Sequence, residues 1–406
     1  MKKIFLLLML LISACFLQAQ LLKKIKEKVD NKVNNTVDKK VDETANGKKD
    51  NNTTTGTGDG TESKNSTATP TLKAYSKYDF VPGEKIVVFE DFMQDAVGDF
   101  PAKWNTNSSG ETVTIEGRAG HWLRINKQGI FTPEFIDSLP DDYTFEFDLL
   151  CDNPGKIWSL YTSTVMLADR NHPEAWNVSP NRFTFTVATQ IDQSSSVVEK
   201  TRGGATEAGG NTNTKKFTDG TKPVHVAVWR QKERVRVYFD EEKVWDLPKA
   251  MAKDVKYNAI VYWLQGPGQD ASFYMTNLRL AVGAPDTRKK ILEQNKWVTH
   301  GILFDVNSAT IKPESYGTLK EMASVLKDYP DLKVKIVGHT DSDGSDAANL
   351  ELSKKRAAAV KESLAKEFGI DESRMETDGK GESEPIDKND TSAGKANNRR
   401  VEFIKI

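Results

Sequence analysis

Short runs in which apolar residues alternate with polar ones, or run nearly unbroken, dominate the middle of the chain. Examples are Lys85–Phe89, Tyr143–Leu149, Arg182–Val187, Val224–Trp229, Arg234–Phe239 and Ala259–Leu264, with Gly, Pro, Asn and Asp between them. Residues two apart on an extended strand share a face, so each run reads as a strand with one buried side or two. No helical period intervenes between about Tyr75 and Gly283. Many strands without crossover helices predict an antiparallel β-sandwich, jelly-roll-like, over residues 73–285.

Beyond it the period changes. Residues 286–296 read as a short charged helix or linker. Within 297–406, Gly301–Phe304 reads as a strand and Pro313–Asp328 as a helix with Leu319, Met322, Ala323 and Leu326 on one face. Leu332–Val337 is the next strand. Ala347–Phe368 follows as a helix burying Leu350, Ala357, Val360 and Leu364. Met375–Gly379 and Arg400–Ile406 are the last two strands. The order βαβαββ predicts a small α/β sandwich, so the chain is multi-domain.

The N-terminal pattern is of a third kind. Lys2 and Lys3 precede an apolar run from Ile4 to Leu17, too short for a comfortable membrane span, and the pair reads as an export signal over residues 1–19. Leu17-Gln18-Ala19-Gln20 permits cleavage near Ala19. Ile12-Ser13-Ala14-Cys15 fits a lipobox in which Cys15 becomes a lipidated first residue, although Phe16-Leu17 prolongs the apolar run beyond it. Over residues 20–44, Leu22, Ile25, Val29, Val33, Val37 and Val41 form a narrow apolar stripe on a charged helix. Such a stripe suits self-association, docking on a membrane or partner, or a solvated spacer. Residues 45–72 hold hardly any apolar side chain and predict a disordered tether with a span of roughly 25–30 Å.

A formal net charge of −1 gives no reason to expect nucleic acid as a partner. The five His residues are scattered without metal-ligand spacing, and no cofactor is read. With Cys15 in the signal region, Cys151 has no partner for an intramolecular disulfide and reads as a buried, inert thiol.

The densest chemistry is in Gly338-His339-Thr340-Asp341, Asn349-Leu350-Glu351-Leu352-Ser353 and Arg356. An acid at a strand end faces an arginine on the next helix. Asn349 and Arg356 are two turns apart and share a side of the first half of that helix, where free N–H groups favour an anion. A carboxylate opposite a guanidinium suits a zwitterion with an ammonium and a carboxylate on one carbon. A structural Asp341–Arg356 ion pair is the competing reading. Asp341-Ser342-Asp343-Gly344-Ser345-Asp346 also looks like half a calcium loop, but Leu352 stands where the bidentate Glu is needed, so no metal is read.

With Phe304-Asp305 upstream and Asn398-Arg399-Arg400-Val401-Glu402 downstream, this spacing resembles the OmpA-like peptidoglycan-binding domain over the last quarter of the chain. The resemblance implies non-covalent binding of the free amino-acid end of diaminopimelate in the peptide stem. Asp341 would take the ammonium and Arg356 the carboxylate, with Thr340, Asn349, Asp305 and Arg399 assisting. The sandwich resembles concanavalin A-like jelly rolls at Asp91-Phe92, Gly98-Asp99-Phe100-Pro101 and Trp104, and again at Phe273–Leu280.

Some jelly-roll glycosidases carry three carboxylates on one strand face, and retaining hydrolysis needs two of them close together. Here Glu146-Phe147-Asp148 is followed by Leu150 and Cys151 where the acid should stand. Glu146 and Asp148 then read as the solvent face of an alternating strand, and the chain as a non-enzyme. Tryptophans 104, 122, 158, 176, 229, 245 and 263 are candidates for stacking on sugars, most of them expected in the core. The expectation is an exported envelope protein on the periplasmic side of the outer membrane, anchoring that membrane or the sandwich to peptidoglycan. A carbohydrate-binding module retained on the wall is one alternative. A glycan hydrolase using other residues of the sandwich is the second.

Overall fold

The computed structural model describes residues 78–406 apart from 154–158, 168–170, 173–174, 176–178, 190–194, 266–270 and 284–285. The export signal with Cys15, the charged stripe of 20–44, the tether of 45–72, Trp158 and Trp176 lie outside the described residues.

Two antiparallel sheets account for residues 85–282. The first runs in the order β13 (Glu242–Leu247), β12 (Arg234–Phe239), β11 (Val224–Gln231), β6 (Asp142–Cys151), β15 (Phe273–Val282), β4 (Trp122–Ile125) and β3 (Gly110–Val113). β1 (Lys85–Glu90) pairs with the far half of β15. The second runs β10 (Ala205–Asn213), β9 (Ser195–Arg202), β8 (Arg182–Ala188), β7 (Ser159–Val165), β14 (Ala259–Gln265), β5 (Gly129–Pro133) and β2 (Trp104–Thr106). Alternation decides the faces. Phe145, Phe147 and Leu149 of β6 enter one core with Phe185 and Val187 of β8 and Tyr262 of β14. Phe147 meets Tyr262 edge-on at 5.5 Å, and Trp104 stacks on Tyr262 at 5.9 Å. Aromatic contacts of this kind fill the space between the sheets with rings rather than voids. Cys151 is buried in this core, and burial pushes its thiol up to about 11.

The C-terminal part is built on a four-stranded sheet in the order β16 (Lys296–Thr299), β19 (Val401–Lys405), β17 (Val334–His339) and β18 (Met375–Gly381). Only the β17–β18 pair is parallel. Four helices accompany it: α1 (Thr287–Glu293), α2 (Tyr316–Asp328), α3 (Asp346–Phe368) and α4 (Ser392–Asn398). The first strand is Lys296–Thr299 instead of the expected Gly301–Phe304, which keeps only an isolated bridge between Phe304 and Ile311. Trp297 explains the choice: it is buried and stacks on Phe403 at 5.5 Å.

Helix α3 also departs from expectation in one residue. Leu350 is 40% exposed, and the buried face is Asn349, Ser353, Ala357, Val360 and Leu364. The sheet beneath is lined with glycine where the helix crosses it. A Cβ on Gly338 would stand 2.3 Å from the Ser353 oxygen, and one on Gly379 would stand 2.4 Å from the Lys354 nitrogen. The close approach selects small residues on the helix and turns Leu350 outward. Asp286 caps α1, Ser345 caps α3, and Gly369 ends α3 at φ +69°.

The two parts touch directly. Ile86 N–H donates to Asn397 Oδ1 at 3.0 Å, and Asn397 Nδ2 donates back to the Ile86 carbonyl at 2.9 Å. One side-chain amide thus pairs with the backbone of β1 as a neighbouring strand would. Gly317 lies so near Phe80 that a Cβ would stand 2.0 Å from its carbonyl oxygen.

Candidate functional site

β17 runs up the sheet and ends at His339, and the chain then turns with Thr340 and Asp341 at its tip. Thr340 N–H donates to the Gly381 carbonyl at 2.9 Å, which fixes the turn to the neighbouring strand. Asp341 is only 7% exposed. Its Oδ2 accepts from Arg399 Nη1, and its Oδ1 accepts from Asp343 N–H at 3.2 Å. Asn349, buried at the start of α3, donates its amide to the Asp341 and Asp343 carbonyls and to Glu382. It is a brace for the turn as much as a lining residue.

Arg356 stands two turns further along α3. Its guanidinium lies over the Phe304 ring at 4.9 Å, and Nε donates to the Ser308 carbonyl at 3.0 Å. Nη1 and Nη2 have no hydrogen-bond partner among the described residues. Burial and the nearby Arg399 push its pKa down, and Asp341 pulls it back up. The ion pair of Asp341 is therefore with Arg399 and not with Arg356. Arg399 is itself held over the Phe89 ring of β1 at 5.3 Å. The Thr340 hydroxyl is buried without a partner among the described residues. Asp305 is exposed on the loop whose Ser308 carbonyl accepts from Arg356.

These groups line one cleft of about 460 Å³, and it brings together all six residues named from the sequence: Asp305, Thr340, Asp341, Asn349, Arg356 and Arg399. A carboxylate that accepts, a guanidinium fork with both outer nitrogens unengaged and a free hydroxyl can hold a small zwitterion through charge-assisted hydrogen bonds.

The same cleft reaches residues the sequence did not single out for it. Glu146 is 2% exposed and not on a solvent face, because the C-terminal part covers that side of the first sheet. Arg279 directly opposes it on β15, donating from Nη2 at 2.6 Å and from Nε at 3.0 Å, while its Nη1 donates to the His300 carbonyl at 3.1 Å. His225 opposes Asp148 on β11. Its ring nitrogens lie 2.8 Å from Asp148 Oδ1 and 3.2 Å from Glu146 Oε2. Burial alone would depress His225, but hydrogen bonds to Asp148 and Glu146 raise it to about 10. Both carboxylates are held below their ordinary range: against the burial penalty, Arg279 lowers Glu146 and the His225 hydrogen bond lowers Asp148. Carboxyls kept ionised this way are poor proton donors. No sequence period marks the cluster, since its members are far apart in the chain and meet across three strands.

The fold and this geometry define the C-terminal part as an α/β domain joined to a double sheet. Residues 303–399 match the OmpA family, and this stretch is an OmpA family domain. It is 46% identical over 104 residues to the probable lipoprotein YiaD of Escherichia coli K12, covering 26% of this chain and 47% of that protein. It is also similar to the peptidoglycan-binding protein ArfA of Mycobacterium bovis, at 36% identity over 139 residues, or 34% of this chain and 38% of that one. The solved peptidoglycan-associated lipoprotein of Burkholderia pseudomallei aligns over 30% of this chain and 98% of its own, with 27% identity and a TM-score of 0.26. The match spans under half the length of both sequence relatives.

Proposed function

We propose that the chain binds peptidoglycan non-covalently, through the diaminopimelate of the peptide stem, and anchors the outer membrane or the double sheet to the cell wall from the periplasmic side. The observation that carries this reading is the Arg356 guanidinium, half-buried on Phe304, with Nη1 and Nη2 unengaged beside the Asp341 carboxylate. Its fork takes the ligand carboxylate, and Asp341 takes the ammonium in company with, or in exchange for, Arg399. Thr340 Oγ1 offers a further partner. The OmpA family domain and a peptidoglycan-binding relative support the same ligand, and a lipoprotein relative supports envelope attachment. The facing antiparallel sheets support a jelly-roll module upstream. The test is calorimetric titration of the full chain with a diaminopimelate-containing muropeptide. Asp341→Ala and Arg356→Lys should both weaken binding while the protein stays folded. Wild-type affinity in both folded variants would overturn the assignment.

The carbohydrate-binding alternative has one observation in its favour. Tyr161 and Trp263, both partly exposed on the second sheet, lie 4.8 Å apart ring to ring. Binding of sacculus glycan stripped of its peptides, abolished by Trp263→Ala, would establish it.

A further inference from the structure

The cleft does not end at Asp341 and Arg356. It continues to the outer face of the first sheet, where Asp148 and Asn277 line it opposite Lys312 and Glu314. Asn277 owes its position to an irregularity. The pairing of β15 with β6 shifts register between Thr276 and Arg279, and Asn277 takes φ +54°, in the left-handed region. A bulge of this kind re-aims a side chain. Here the amide donates to Asp148 Oδ2 at 2.7 Å and stays exposed to the cleft.

The charges of the sheet-side cluster are internally matched, with Glu146 and Asp148 facing Arg279 and His225. The groups across from it are not. Lys312 has no carboxylate within ion-pair distance among the described residues, although its charge acts on Asp148 and Glu314. Glu314 Oε2 is buried without a hydrogen-bond partner among the described residues, and burial raises its pKa. One lobe of the cleft therefore holds an unmatched cation and an unmet acceptor, and the other holds the unengaged fork of Arg356. A ligand that answers both has two carboxylates and an N–H donor between them. In a peptide stem, the residue that precedes diaminopimelate is a D-glutamate joined through its side chain, which leaves its α-carboxylate free.

We propose that the double sheet supplies the second half of the binding site: Asp148 and Asn277, with Lys312 facing them, form a subsite for the acidic residue next to diaminopimelate. Lys312 pairs with its α-carboxylate, Asn277 contacts the same group, and Asp148 orients Asn277. This rests on the peptidoglycan reading above. It makes the sheet a specificity element that separates acidic stems from amidated ones.

The test uses the full chain and three probes: L-alanyl-γ-D-glutamyl-meso-diaminopimelate, the same tripeptide with its α-carboxylate amidated, and free meso-diaminopimelate. Wild type should prefer the acidic tripeptide over the amidated one by about tenfold, the order expected for one charge-assisted contact. Lys312→Gln should bind both tripeptides alike. Asn277→Gly keeps the left-handed backbone while removing the amide, and it should weaken the acidic tripeptide without changing free diaminopimelate. Should Asn277→Gly fail to fold, Lys312→Gln decides alone. Arg356→Lys should weaken all three probes. Undiminished preference for the acidic tripeptide in Lys312→Gln, with Arg356→Lys impaired, would overturn the subsite and leave the main site standing. Normal binding by Arg356→Lys would overturn both.

Discussion

Arg356 shows how a single side chain is prepared for a ligand. Its guanidinium is held flat by the Phe304 ring on one side and by the Ser308 carbonyl at Nε, so the two outer nitrogens are oriented before anything binds. Lysine keeps the charge but has no fork. Arg356→Lys should therefore weaken muropeptide binding clearly, and Asp341→Ala should cost about 2–5 kcal/mol if the pair is desolvated in the complex. Phe304→Leu tests the platform separately. It keeps most of the volume and removes the ring quadrupole, and a loss of about 0.5–2 kcal/mol of ligand affinity is expected. Titration of the folded variant checks it, and unchanged affinity would show the ring to be mere filler. The residue types and spacing of Asp341 and Arg356 were legible in the chain, and so was their meeting in one cleft. Which arginine pairs with Asp341 was not, because Arg399 reaches it from a distant turn across the sheet.

Among the elements, helix α3 carries the most information. Its length and its Ala357, Val360 and Leu364 positions follow the helical period. Leu350 belongs to the same apolar count but falls outside the buried face, since glycines 338, 379 and 381 draw the backbone of the helix onto the sheet and leave room only for small groups there. Two stability measurements separate the roles. Leu350→Ala should change unfolding free energy by under about 0.5 kcal/mol, as for an ordinary surface position. Leu364→Ala should cost about 2–5 kcal/mol, as for a buried leucine. Gly338→Ala should also destabilise, by about 1–3 kcal/mol, because the added methyl collides with backbone that cannot rotate away. Chemical denaturation of the three variants checks these values, and a large loss in Leu350→Ala would contradict the packing described.

For the whole molecule, the contact between the double sheet and the OmpA family domain ties stability to two histidines of opposite behaviour. His300 is buried and neutral: burial first, then the charges of Arg279 and Arg400, lower it from 6.5 to about 4, while its Nε2–H donates to the Asn397 carbonyl. Its unfolded form takes up a proton first as pH falls, so stability should drop from about pH 6.5 towards pH 4, by at most about 1.4 kcal/mol per pH unit. His225 is the reverse case. With a folded value of about 10, its contribution is complete below pH 6.5 and is lost as pH rises through 10. The contributions of these two groups are jointly greatest near pH 6.5. Thermal melting across pH should show it, and His300→Gln should flatten the acid limb between pH 6.5 and 4.5, above the range where the depressed carboxyls such as Glu402 titrate. An unchanged acid limb in that variant would assign it to other groups.

Taken by itself, the sequence determined what local chemistry can encode. Alternation marked β1, β6, β8, β11, β12 and β14, because a strand with one wet side must repeat every second residue. The 3.6-residue period marked α2 and α3, and the turn at Thr340-Asp341 carried its acid in a recognisable setting. Tertiary structure alone decided whatever depended on a second surface arriving. Glu146 sits on a strand whose alternation sends it outward, and it is buried only because the OmpA family domain covers that face. The His225–Asp148–Glu146–Arg279 cluster and the far lobe of the cleft arise in the same way, from residues whose neighbours in space are far away in the chain. A period read along one strand reports which side a residue faces, and it is silent on what stands opposite.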